Sequence, residues 1–422
     1  MRLPKFLLKM IPGFQIKDIK EWLNQGYIDI YLEHKDSNDG QSCSRCQNKL
    51  ERITGSYRQK VQAMPILSYK TFLHIKRRKG YCPHCKKIRA EHLEFIASET
   101  PHLTREYSWW LGRMCEISAV SRVGELVGID KMTMWRLDFA RLKRMLQNYK
   151  IPKVARISVD EVYARKKKYG KKESRDKRFF TVICDLDSRR VIWVSESREK
   201  AALDEFFKII GKDRCKDIDV VAMDQHDSYK ASVEEHCPRA TVVWDRFHIM
   251  QNFNQAVDED RKWLHRYIAK GELKRLSRGK FKRLFVKRAD KRNKAENRHI
   301  NDVLKENQDF AYLELIKEGM HQLYDSENEW EARERFVQLG EWIRECPHFY
   351  ELKKWWENFN LGWQTFKNYF YYRVSSSLSE GQNNVIKTLK RRGYGYRNMA
   401  YFKLKVLQVC GFLNSKYVPM SF

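Results

Sequence analysis

Four cysteines fall into two Cys-x-x-Cys pairs, Cys43/Cys46 and Cys82/Cys85. Each such turn presents two thiolates to one ion, and two turns together supply the four soft ligands that Zn²⁺ takes in a tetrahedron. The 35 residues between the pairs (47–81) exceed what a compact ribbon needs and leave room for a hairpin around Ser68–Arg77. Two unrelated pairs, or a redox Cys-x-x-Cys, are the competing readings. His84 and His92 are spare nitrogen ligands, although four sulfurs suffice.

A second group is acidic. Two apolar runs each close on an aspartate, Arg156-Ile157-Ser158-Val159-Asp160 and Val220-Val221-Ala222-Met223-Asp224. Acids at the ends of adjacent strands, joined by a third from a later helix, are how an RNase H-like sheet gathers metal ligands. Glu380, within Ser379-Glu380-Gly381-Gln382-Asn383, is placed to be that third acid. Three carboxylates can hold two Mg²⁺ (or Mn²⁺) ions ~3.5–4 Å apart, one for the attacking oxygen and one for the leaving oxygen. Singly, a strand-terminal aspartate is more often a turn or cap residue; the ordered set carries the specificity. Asp227 competes with Asp224, which is preferred because it directly closes its apolar run.

A third group can meet nucleic acid. Within Ser118–Arg141, Val120, Val123, Leu126 and Val127 share one helical face, Gly128-Ile129-Asp130 can turn the chain, and Asp130 can cap the next helix. That helix carries Lys131, Thr133, Met134, Arg136 and Leu137. The pattern is a helix-turn-helix, whose second helix enters the major groove; an ordinary helical hairpin is the alternative. Lys131, Thr133 and Arg136 are its candidate DNA contacts.

Composition agrees with a polyanionic partner. Lysine and arginine number 83 against 54 acids, a formal net charge of +29, and neutralising phosphates releases counterions. The charge is spread along most of the chain rather than held in one amphipathic helix, which disfavours a membrane-surface role. No apolar run approaches the ~20 residues a bilayer span needs. Lys5 and Lys9 interrupt the short N-terminal apolar stretch, so no secretory signal is expected. Ten cysteines then suggest metal ligands and buried thiols in a cytoplasmic protein rather than disulfides.

The elements that must position these groups are legible in outline. A strand is expected at Tyr27–His34 and a helical, tryptophan-bearing stretch over 104–149, followed by a linker at Ile151-Pro152. From there the texture predicts strands at 154–160, 178–185, 190–196, 219–224 and 241–245, with helices at 200–211 and 228–236. Asp245 and Glu380 are 135 positions apart, so 246–375 reads as a helical insertion. Within it, His265–Arg298 holds 14 Lys/Arg against 3 Asp/Glu, a net of +11; so lopsided a run favours phosphate contact. Trp330, Trp342, Trp355, Trp356 and Trp363 read as helical core, with base stacking the alternative. Helices are expected over 377–391 and from 398. The expected fold is therefore multidomain α/β. It comprises a zinc-ribbon-like module (1–95), a helix-turn-helix (96–150), an RNase H-like mixed-sheet catalytic core (151–245 and 376–422) and the helical insertion (246–375).

The whole resembles the bacterial insertion-sequence transposases of the ISL3 family, in the DDE superfamily. The resemblance is carried by Ser158-Val159-Asp160-Glu161, Met223-Asp224 with Tyr229, Asp245-Arg246-Phe247-His248, and the block from Ser379 through Asn384-Val385-Ile386-Lys387 to Arg391-Arg392-Gly393-Tyr394-Gly395-Tyr396-Arg397-Asn398. It implies metal-dependent cleavage at element ends and strand transfer, with Asp160, Asp224 and Glu380 as metal ligands. Asp245-x-x-His248 resembles a motif of related DDE transposases and implies a supporting role for both residues; a capping aspartate and a packed histidine is the plainer alternative. Lys387, Lys390, Arg391, Arg392 and Arg397 follow Glu380 closely, and the first three share a helical face that can track a DNA strand. The expected partners are double-stranded DNA, as element ends and target, and at least a second copy of the chain; nucleoid DNA in the cytoplasm is the expected location. A DNA-binding regulator, a catalytically inactive relative, and an RNase H-like nuclease without strand transfer are the rival readings.

Overall fold

A computed structural model of the chain describes residues 10–35, 41–165, 176–279, 281–374, 377–414 and 416. The expectation about an N-terminal signal falls on residues 1–9, outside the described residues. The chain divides into two compact units, Met1–Tyr149 with Ala400–Phe422, and Lys150–Met399. Among the described residues no helix is long and apolar enough to cross a membrane.

The first unit opens with a sheet of β1 (Phe14–Trp22), β2 (Tyr27–His34), β3 (Arg52–Ile66), β4 (Tyr69–Cys82) and β5 (Lys87–Ala90). The strand order is β1-β2-β4-β3, with β5 pairing β4. The expected hairpin between the cysteine pairs is present, but its arms run 15 and 14 residues, and Ser68–Arg77 forms only the turn and most of one arm. Side chains alternate across a strand, so Leu73 and Ile75 of β4 turn inward with Ile30, Leu32 and Val61, onto a core closed by Phe14, Phe95 and Ile96.

Three helices follow: α1 (Arg105–Ile117), α2 (Val120–Val127) and α3 (Lys131–Gln147). Leu111, Val123, Met134 and Leu137 close their shared core. Gly128 takes φ 71°, the left-handed conformation that ends α2. Asp130 caps α3 by accepting from the backbone N–H groups of Met132 and Thr133 at 2.9 and 3.0 Å. A Cβ on Gly124 would stand 2.6 Å from the carbonyl oxygen of Ile129, so the turn can pack tightly only on glycine. One expectation fails here: Leu126 is 73% exposed. Periodicity placed it with Val123, but the α2–α3 crossing covers only the stripe centred on Val123.

The second unit is built on a five-stranded sheet of β6 (Arg156–Tyr163), β7 (Phe179–Asp185), β8 (Arg190–Glu196), β9 (Val220–Met223) and β10 (Thr241–Trp244), in the order β10-β9-β6-β7-β8. β6, β9 and β10 run parallel, and β7 pairs antiparallel with both β6 and β8, so that β7 alone of the five runs in the opposite direction. Helices α4 (Lys200–Ile210) and α5 (Asp227–His236) join the strands. After β10 comes α6 (Arg246–Tyr267), then a helical stretch whose longer members are α7 (Lys294–Glu306), α8 (Gln308–Asp325), α9 (Glu329–Glu345) and α10 (Tyr350–Asn360). Trp356 and Trp363 lie in its core and Trp342 and Trp355 pack against it, while Trp330 is 72% exposed. This is the expected mixed α/β architecture.

Two further helices end the described chain, α11 (Ser377–Arg392) and α12 (Met399–Cys410). Residues 376–422 were expected to stay with the mixed sheet throughout. Instead the chain from Ala400 on groups with the first unit. The reason is a buried polar network. Asp138 of α3, wholly buried, accepts from the Tyr401 hydroxyl at 2.7 Å and the Lys405 ammonium at 3.3 Å, and Lys405 also donates to the carbonyl oxygen of Cys115 at 2.5 Å.

Candidate functional site

The four cysteines converge. Sγ of Cys43 lies 3.9 Å from Sγ of Cys85, and Cys46 lies 3.5 Å from both Cys82 and Cys85. A tetrahedral ion with bonds of ~2.3 Å to sulfur has edges of about 3.8 Å. The backbone N–H groups of Arg45 and Cys85 donate to the sulfurs of Cys43 and Cys82, each at 3.4 Å, which favours the thiolate form. Each turn is closed by a left-handed residue directly after its second cysteine, Gln47 (φ 60°) and Lys86 (φ 51°). The two knuckles therefore repeat one geometry. His84 and His92 are outside the set.

Strand register assembles the acids. Val159 of β6 pairs with Met223 of β9, and Met223 pairs with Trp244 of β10. Asp160, Asp224 and Asp245, each the next residue, thus stand level on three neighbouring parallel strands, which lie ~4.8 Å apart. Asp160 was expected to end its strand. It lies within β6, which continues through Glu161 and Val162 to Tyr163 because those residues pair with Thr181, Phe180 and Phe179 of β7.

Asp245 also caps α6, accepting from the Phe247 N–H at 3.0 Å. Its other oxygen meets Nδ1 of His248, one turn into α6, at 2.9 Å, and the same Nδ1 contacts Asp224. Ligand atoms of Asp160, Asp224 and His248 all lie within 4.8 Å of one another. The capping role of the plainer reading is therefore present, and the same residue also stands against His248 beside the other acids.

Burial dominates the electrostatics. It raises the Asp160 carboxyl above the usual carboxylate range, against hydrogen bonds from the Glu161 N–H and Asn383. Burial pushes Asp224 up to about 6, with the charges of Asp160 and Asp245 adding to it and His248 opposing. For His248, burial favours the neutral ring, but the hydrogen bonds to Asp224 and Asp245 outweigh it and carry the imidazole up to about 10. Three carboxyls crowded in one row, Asp160 and Asp245 buried and Asp224 half-buried, form a site that favours added positive charge.

Glu380 sits half-buried in the first turn of α11, outside this set. What α11 brings to the acids is Asn383, whose Nδ2 donates to Oδ2 of Asp160 at 2.7 Å. Residues three apart share a helix face, so Glu380 and Asn383 occupy the same side of α11. Asn383 was not singled out from the sequence; the available signal was that spacing inside the Ser379–Lys387 block. Asp227 is exposed at the start of α5.

The basic groups divide. Lys131 and Arg136 are exposed on α3, and Thr133 is half-buried beside the Asp130 cap. Lys387, Arg391, Arg392 and Arg397 are exposed, whereas Lys390 donates to the carbonyl oxygen of Tyr163 at 3.1 Å. Part of the charge of the 265–298 run is neutralised internally: Arg292 is buried against Glu314 at 2.6 Å, Lys287 meets Glu296 at 2.6 Å, and Arg288 meets Asp325.

Comparison with known proteins bears on both clusters. The ISL3 family model described as a transposase matches residues 157–406. The chain belongs to the ISL3 family of transposases. A second model, the zinc-finger of transposase IS204/IS1001/IS1096/IS1165, matches residues 39–85 and includes all four clustered cysteines. The four-sulfur cluster of this ISL3 transposase is accordingly suited to a structural zinc ion. The transposase for insertion sequence element IS1001 of Bordetella parapertussis is 23% identical over 417 residues, covering 96% of this chain and 98% of that protein. The transposase for insertion sequence element IS1557 of Mycobacterium tuberculosis is 24% identical over 330 residues, covering 72% of this chain and 70% of that protein. The transposase match spans Asp160, Asp224, Asp245, His248 and Glu380; α1, α2 and α3 lie outside both family matches.

Proposed function

We propose that this ISL3 transposase binds the terminal inverted repeats of an insertion sequence, and cleaves and rejoins DNA at a centre held by Asp160, Asp224 and Glu380. The observation that carries the reading is the level row of Asp160, Asp224 and Asp245 on three parallel strands with His248 against it. Hard carboxylate oxygens in a crowded, mutually repelling group fit Mg²⁺ or Mn²⁺. Such ions, when bound, supply an activated attacking oxygen and a stabilised leaving oxygen.

The chain's own residues do the positioning. Asp160 and Asp224 present oxygens from an RNase H-like sheet, and Glu380 supplies the third carboxylate from α11 by a change of rotamer. His248, holding a proton at Nδ1 between Asp224 and Asp245, orients Asp224. Lys131, Thr133 and Arg136 read the element end. Lys387, Lys390, Arg391, Arg392 and Arg397 follow the strand that enters the centre. Water first frees a 3′-hydroxyl at the element end, and that hydroxyl then attacks a target phosphodiester, so no covalent protein–DNA intermediate is required. Holding two ends together requires at least a dimer on the DNA, and the substrate places the protein on nucleoid DNA in the cytoplasm.

The test is cleavage and strand transfer on duplexes carrying the element end. Asp160→Asn, Asp224→Asn and Glu380→Gln should each lower both steps by at least ~10²-fold, the scale of misplacing a reacting atom by ~1 Å, while leaving DNA binding intact. Asp227→Asn should retain most activity. A Glu380→Gln protein that cuts at the wild-type rate removes Glu380 from the centre.

A further inference from the structure

The outward face of the N-terminal sheet carries a groove that the proposed function does not use. It has a volume of about 1080 Å³ and is lined by Lys17, Lys35, Arg58, Lys76 and Arg78, with Glu33 the only acid among the described lining residues. Glu33 meets Lys17 at 3.5 Å and Arg78 is engaged as well, which leaves Lys35, Arg58 and Lys76 with no acid among the described lining residues.

Three observations point to what the groove takes. First, Arg58 of β3 and Lys76 of β4 are direct cross-strand partners, and both are exposed. Like charges directly opposite each other on a sheet are unfavourable, so the pair calls for an anion placed over it. Second, Tyr31 and His74 in the groove lining stack on each other at 4.6 Å, and beyond the groove the Lys60 ammonium lies 4.1 Å from the centre of Phe72. These rings are engaged within the sheet, so the groove offers charge rather than stacking. Third, the basic row continues to the helix-turn-helix. Lys70, Lys76 and Arg78 stand on the same face of β4, and Nζ of Lys70 comes within 2.9 Å of where a Cβ on Gly128 would lie. Gly128 is the turn residue that leads into α3. From Lys70 to Arg78 the strand spans about 27 Å at ~3.4 Å per residue, most of one ~34 Å turn of duplex DNA.

We infer that this sheet face is a second DNA contact. It seats the phosphate backbone of the duplex beside the stretch that α3 reads, with Arg58 and Lys76 at its centre. The inference rests on the proposed binding of element ends and extends it: α3 supplies sequence reading and the sheet supplies sequence-independent grip.

The experiment measures equilibrium binding of the full chain to an element-end duplex and to a random duplex of equal length, across a salt series. Arg58→Gln with Lys76→Gln removes two exposed charges without touching the core. The double variant should weaken binding to both duplexes by the same factor. The slope of log K against log salt should fall by about 1.8, at ~0.9 per phosphate contact. Its deficit relative to wild type should then shrink about tenfold as salt rises from roughly 50 to 200 mM. An unchanged slope overturns the inference. So does a loss of self-association with DNA binding intact, which would assign the face to a second copy of the chain. If the wild-type protein itself ignores both duplexes, the proposed function falls along with the groove. If wild type binds and only the double variant's slope is unmoved, the groove assignment alone falls.

Discussion

Asn383 donates to Asp160 at 2.7 Å across 223 positions of sequence, and both side chains are buried. Asp160 Oδ1 accepts from the Glu161 N–H at 2.6 Å, so each carboxylate oxygen is held from a different element. Oδ1 of Asn383 is buried with no hydrogen-bond partner among the described residues.

Asn383→Ala should therefore act on Asp160 rather than on DNA binding. Removing a partner that orients a ligand typically costs ~10–100-fold in metal affinity or activity. End cleavage should fall by that order, with a higher Mg²⁺ concentration for half-maximal rate and unaltered duplex binding. An Asn383→Ala protein with a wild-type metal titration would show that the hydrogen bond is only structural.

Cys82→Ser should empty the four-sulfur cluster. The wild-type protein should carry one zinc per chain, and the variant close to none by metal analysis. Because a structural ion contributes its binding energy to folding, the variant's β3–β5 region should also become more sensitive to protease. Zinc-free wild-type protein with all four thiols reduced and the fold intact would dispose of the assignment.

Arg136 is exposed in the first half of α3, the helix proposed to read the element end. A base contact predicts that Arg136→Ala loses ~1–3 kcal/mol on the element end and relaxes preference at one position; a phosphate contact predicts uniform weakening and a salt slope lower by ~1. Equal affinity of variant and wild type for the element end at matched salt would misplace the recognition helix.

The network at Asp138 should govern the stability of the first unit. Arg141 meets Asp138 at 3.3 Å and Glu116 at 2.9 Å, and Lys405 completes the balance from α12. Lys405→Met leaves buried acids short of one cation, and breaking a buried pair typically costs ~3–5 kcal/mol. The urea midpoint should drop accordingly. Asp138→Asn with Lys405→Met should recover much of that loss, since both members of the pair are then neutral. A single variant as stable as wild type would mean that Asp138 is satisfied without Lys405.

Local pattern carried much of this protein. The Cys-x-x-Cys pairs, the Gly128-Ile129-Asp130 turn and the apolar runs of β6 to β10 are readable because each depends on a few consecutive residues. Alternation with period 2, helical spacing and turn chemistry act over that range, so β2 and β8 appear where periodicity puts them. Tertiary structure decided what those elements meet. Nothing local makes Asp160, Asp224 and Asp245 level; that follows from the pairing of strands far apart in sequence. Spacing likewise could not say that the docking of α11 sets Asn383 rather than Glu380 against Asp160, because one turn of a helix offers both. Nor could it say that α12 leaves the mixed sheet, since Lys405 reads as a solvent cation until Asp138 is found buried beside it. Leu126 and the Arg58–Lys76 pair make the same point from opposite sides. Periodicity assigns a face to every residue, but only packing determines which faces are covered.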